Sequence, residues 1–140
     1  MRSLNLWKLL LIFSTATACS IQTSPQSLGK ELRTINSWAA TAHMVSDSWL
    51  KGTVPNAYAK RTLQTTQDNL KKETDALEKI VPNENRDSAL NQVENLQQIV
   101  SQTMTGIEQR DRDEVTRNLQ DLSNQEQSIH TMLTQLGEQP

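Results

Sequence analysis

Residues 89–122 read ALNQVENLQQIVSQTMTGIEQRDRDEVTRNLQDL, and the phase of the apolar residues in this stretch decides the fold. From Ala89 a stripe runs through Val93, Leu96, Val100, Thr103 and Ile107, with Leu90, Ile99 and Met104 beside it. Steps alternating between four and three residues keep one helix face turned toward a partner. Carried past Ile107 in the same phase, the stripe would put Arg110, Glu114, Arg117 and Asp121 into a core. Burying such a row of charges is untenable, so the phase resets. The new stripe is Val115, Leu119, Leu122, Glu126, Ile129, Leu133 and Leu136. Asp111, followed three residues later by Glu114, forms a capping pair, which places a tight turn near Arg110–Asp113.

Two more segments precede this pair. The first runs from Ser27 to Lys51, with the stripe Leu28, Leu32, Ile35, Ala39, Ala42, Ser46 and Trp49, flanked by Trp38 and Val45. Gly52 is a natural terminator. The second runs from Thr53 to Val81, where Thr53 caps the start and Pro55 sits in the first turn. Its stripe is Ala59, Leu63, Thr66, Leu70, Leu77 and Ile80, interrupted by Glu73. Pro82 ends it, because the residue before proline is pushed out of helical geometry, and the third segment begins near Asn83. Short connections make neighbours antiparallel. The expectation is therefore an all-α, up-down-up-down four-helix bundle over residues 27–137, each helix roughly 37 Å long. A longer helical hairpin that dimerises is the alternative, and the matched segment lengths favour the bundle. The polar stripe members Ser46, Thr66, Thr103 and Glu126 read as residues tolerated near helix ends or at exposed seams.

Composition agrees. Apolar residues make up 35% of the chain and aromatics 4%, so the core is narrow, and four glycines with four prolines argue against a turn-rich β fold. Removing Arg2 and Lys8 with the first 18 residues leaves 12 of 14 basic side chains against 16 acidic, a net of −4. Nucleic acid is excluded as a partner, since a basic face is its first requirement.

Residues 1–18 have the three parts of a secretory signal peptide. Arg2 and Lys8 give a positive start, Leu9–Phe13 a short apolar core, and Ala16-Thr17-Ala18 a small-residue cleavage site. The apolar run is far below the ~20 residues that span a bilayer. Cys19, the one cysteine, follows directly. Thr17-Ala18-Cys19 resembles the lipobox of bacterial lipoproteins, with Ala16 where that family usually has leucine. The resemblance covers the first twenty residues and implies lipidation of Cys19, a membrane anchor. Ser20 after the cysteine implies the outer membrane, periplasm-facing; a thylakoid-lumen location also fits. Cleavage leaving Cys19 as a free thiol is the alternative. An exposed thiol in an oxidising compartment is a liability, whereas an acylated one is an anchor. Residues 19–26 are the lipidated cysteine and a polar tether. The layout, a lipobox followed by four helices, is similar to the lipoprotein form of the photosystem II extrinsic subunit Q family of cyanobacteria.

Chemistry has little to work with. Glu-x-x-His, H-E-x-x-H, C-x-x-C-H, G-x-S-x-G and phosphate-loop patterns are all missing from the sequence. No enzyme, metal or cofactor is expected. His43 and His130 fall at heights roughly 17 Å apart in an antiparallel pair, too far for one ion. Each has an acid four positions away, Asp47 and Glu126, which reads as a surface helix contact. A looser soft-metal set would be His43, Met44 and Met104. The most distinctive local feature is the first turn. Trp49, Leu50, Val54, Pro55 and Tyr58 surround Lys51-Gly52-Thr53, with Lys60 and Arg61 just beyond. Aromatic and basic residues together typify binding hot spots, so Trp49, Tyr58 and Lys51 are candidate partner-binding residues. The structural reading is that they fasten helix one to helix two. The expectation is a lipid-anchored, non-enzymatic adaptor or accessory subunit with a protein partner. The alternative is a bundle holding a small ligand or soft metal, which a core cavity lined by Trp38, Met44 and Met104 would favour.

Overall fold

Four helices follow one another along the chain: α1 (Pro25–Leu50), α2 (Asn56–Glu78), α3 (Glu84–Gln109) and α4 (Arg112–Gln135). The computed structural model describes residues 25–137, with side chains from residue 27. The expected signal segment 1–18, Cys19 and most of the expected tether lie outside the described residues. Each helix packs against its two neighbours in chain order, α4 closing back on α1, and α1 also touches α3 across the diagonal. The chain is an all-α four-helix bundle, up-down-up-down, and no strand occurs among the described residues.

The stripes are the seams. Leu32, Ile35, Leu63, Leu70, Leu96, Val100, Ile107, Leu122 and Ile129 are fully buried, and each contributes about 2 kcal/mol of burial free energy. Ser46, Thr66 and Thr103 are buried too, rather than lying at exposed seams. Their hydroxyls donate to the carbonyls of Ala42, Thr62 and Ile99 one turn back, so no partner from another helix is needed. Gly106 has a packing reason inside α3. A Cβ there would lie 2.9 Å from Val115 Cγ2 on α4, so the glycine lets the two backbones close at the turn.

Four expectations need correction. In α4 the core position is taken by Asn118, 5% exposed, while Leu119 is only half-buried. Three-then-four and four-then-three steps both lead from Val115 to Leu122, and the helix takes the former. α2 starts later than expected. Its N-cap is Pro55, with no side-chain cap, and the Thr53 hydroxyl donates backward to Ser48 O, sealing α1 instead. α2 also stops at Glu78, before Pro82 can act. Ile80 continues as a turn that still packs on the core, held by Arg86 Nη1 donating to its carbonyl. Pro25 and Gln26, assigned to the tether, belong to α1, where an early proline costs no hydrogen bond. No helix among the described residues is long and apolar enough to cross a membrane.

Candidate functional site

The α1–α2 and α3–α4 turns lie at one end of the bundle, opposite the start of α1. Both use the same backbone device. In the first, Gly52 N–H donates to Trp49 O and Thr53 N–H to Ser48 O, each at 2.9 Å. In the second, Arg110 N–H donates to Ile107 O at 3.2 Å and Asp111 N–H to Gly106 O at 2.8 Å. These paired bonds are the Schellman closure, which needs a left-handed residue at its corner. Gly52 takes that conformation with φ 71°, and Arg110 with φ 58°, ψ 29°. Arg110 is the one non-glycine with positive φ among the described residues. For a side chain bearing a Cβ this costs roughly 1–2 kcal/mol. The turn is also as short as it can be. Asp111 follows at once as the N-cap of α4, its Oδ1 accepting from Glu114 N–H at 2.9 Å. That half of the expected capping pair is realised.

Between the turns is a cleft of about 300 Å³ lined by Trp49, Gly52, Val54, Asn56, Arg110 and Arg112. Trp49 is 6% exposed and donates its indole N–H to Asn56 Oδ1 at 2.6 Å. The Arg112 guanidinium lies over the indole, 5.7 Å from the ring centre, and also donates to the Leu50 carbonyl. That cation–π contact ties α4 to the end of α1. Among the described residues Arg110 has no carboxylate partner. Two guanidinium groups beside an indole make a site for an anionic group on a flat or apolar body.

The structure separates the three residues that sequence grouped. Trp49 is in the cleft. Lys51 is exposed and paired with Asp47 Oδ2 at 2.6 Å. Tyr58, 57% exposed, belongs to a different cleft of about 240 Å³ between α1 and α2, with Trp38, Arg61, Thr62 and Thr65. Arg110, Arg112 and Asn56 complete the cleft and are not among the residues that the sequence pattern marks. The available signal was an arginine in the position after α3 where glycine or asparagine is usual.

The histidine contacts also differ from expectation. His43 Nδ1 meets Glu126 Oε1 of α4 at 2.7 Å, while Asp47 is taken by Lys51. Glu126 thus occupies its stripe position as a half-buried partner joining α1 and α4. Met44 is 65% exposed, Met104 lines a groove between α2 and α3, and Trp38 lies in the α1–α2 cleft. The clefts that Trp38 and Met104 line are different ones, and Met44 lines neither. Among the described residues, no three of His, Cys, Asp and Glu come together where a metal ion would sit.

At the other end of the bundle, the Glu73 carboxyl of α2 is pushed up to about 7. Burial is the main cause. A hydrogen bond with the Glu31 carboxyl of α1 and that group's charge add to it, and Lys30 acts in the opposite direction.

The fold and this end define a helical bundle with an aromatic–arginine cleft at its two-turn end. Compared with protein-family models, curated proteins and solved structures, the chain has no match.

Proposed function

We propose that this chain is an exported, non-enzymatic adaptor or accessory subunit of a bacterial envelope or thylakoid-lumen assembly. A lipid on Cys19 holds it to a membrane, with the outer membrane, periplasm-facing, as the favoured site. The cleft at the far end holds a protein partner. One observation carries the reading. The cationic, aromatic cleft lies at the opposite end of the bundle from the start of α1, which follows Cys19 by six residues in sequence. With 26 residues in α1, that separation is roughly 39 Å. An anchor at one end and a recognition surface at the other is the layout an adaptor requires. Buried aromatic and arginine anchors are the side chains that dominate protein interfaces.

Two experiments test this. Labelled palmitate should enter the wild-type chain and not Cys19→Ala. Affinity capture from the native membrane should recover one stoichiometric partner with the wild type and none with Arg110→Glu/Arg112→Glu. Recovery of nothing by the wild type, or of the same partner by the double variant, would remove the adaptor reading.

A further inference from the structure

We infer that the cleft between the two turns binds the carboxylate of an acidic peptide segment. This deepens the adaptor reading, on which it rests for the source of the peptide.

The argument starts from the corner residues. Of the left-handed positions among the described residues, Gly52 and Gly137 are glycine, and the third is Arg110. Gly52 and Arg110 close the same Schellman pair of hydrogen bonds. Glycine would serve the α3–α4 turn better as backbone, so the strain at Arg110 is accounted for by its side chain. That side chain lines the cleft. Its companion Arg112 is fixed from two sides, by the Trp49 ring and by the Leu50 carbonyl. One guanidinium is pre-positioned and the other exposed.

The chemistry of the walls narrows the ligand. Guanidinium groups present paired planar donors that match a carboxylate. Val54 and the Trp49 ring add an apolar wall, suited to the side chain or backbone that carries such a group. A volume of about 300 Å³ is at the lower limit for a small-molecule pocket and open to solvent. It takes a side chain or a chain terminus, not an extended cofactor. The cleft faces away from the anchored end, which favours a peptide carboxylate over a lipid phosphate. The acidic excess of the whole chain argues against a nucleic-acid phosphate.

The test uses the full chain carrying Trp7→Phe and Trp38→Phe, which leaves Trp49 as the sole indole. Fluorescence is titrated with a capped Gly-Leu-Glu-Glu-Leu-Gly peptide and with its Gln-Gln counterpart. The Glu peptide should shift Trp49 emission saturably, and the Gln peptide should bind at least tenfold more weakly. Arg110→Gly should keep or raise the melting temperature while weakening the Glu peptide at least tenfold. Arg112→Lys, which keeps the charge and loses the planar fork, should weaken it severalfold. Equal binding of the two peptides, or an unchanged affinity in Arg110→Gly, overturns the inference. So does displacement of the peptide by inorganic phosphate at concentrations tenfold below those of acetate, which would mark a phosphate site. The two readings fail separately. Peptide binding without a captured membrane partner removes the adaptor and leaves the site. Partner capture that survives Arg110→Gly, with no peptide binding, removes the site and leaves the adaptor.

Discussion

The two turns at the cleft end solve one backbone problem with different residues. After α1, Gly52 adopts φ 71° and a Cβ placed there would meet nothing within 4 Å. The conformation alone demands glycine. After α3, Arg110 adopts φ 58° with the same pair of closing hydrogen bonds. A position chosen for folding alone would hold glycine or asparagine in both places. The contrast teaches that the α1–α2 turn is built for closure. The α3–α4 turn gives up some stability to project a cation. The surroundings differ in the same sense. The first turn is separated from α2 by several residues, whereas the second passes directly into the Asp111 cap.

Ways to break or sharpen this comparison can be ranked. Removing the wall the turns share has the largest effect. Trp49→Ala should cost about 3–4 kcal/mol in urea unfolding, because it empties a buried aromatic site and releases Asn56 and Arg112. A loss below about 1 kcal/mol would show that Trp49 does not hold the turns together. Next is the close approach beneath Arg110. Gly106→Ala pushes a Cβ against Val115 Cγ2 and should cost about 1–2 kcal/mol despite the better helix propensity of alanine. Gly52→Ala, free of contacts, should cost about 1 kcal/mol through backbone strain alone. Equal or greater stability of that variant would remove the premise that both corners favour glycine.

The smallest effect comes from the opposite end and is set by pH. Glu73 keeps its proton in the folded chain up to about pH 7, whereas an ordinary glutamate releases it near 4.5. Below 4.5 both states are protonated and nothing is gained or lost. Between 4.5 and 7 the unfolded chain binds fewer protons, so stability falls as pH rises, and above 7 the loss is constant. At this half-buried position screening reduces the loss to the order of 1 kcal/mol. Glu73→Gln should therefore unfold like the wild type at pH 4. At pH 8 it should be more stable by about that amount. A gain of the same size at pH 4 would assign the effect to packing. Turn variants are best compared at one fixed pH for this reason.

The bundle was legible in sequence because apolar spacing reports which face of a helix leaves water. The phase reset after Ile107 was decisive, and Asp111 caps α4 as its spacing implied. Where the apolar pattern is degenerate, more than one register satisfies it. Residues 118 and 119 fit the same heptad, and only packing chooses Asn118. Thr53 has a hydroxyl that suits either end of the first connection, and it bonds back to α1. The site was half legible. Trp49 stood out as a scarce aromatic, but its neighbours in sequence, Lys51 and Tyr58, point elsewhere. Its partners in space come from a turn some 60 residues later, as Arg112 bonds Leu50 across 62 positions. Proximity of that kind is a product of the ring closing α4 onto α1, which no local pattern records.

The most direct test of the central claim is the unfolding free energy of Arg110→Gly against wild type at pH 7. A gain of about 1 kcal/mol is expected, opposite in sign to Gly52→Ala. A loss of similar size would mean that the arginine itself secures the turn, and the left-handed corner would then need no function beyond folding.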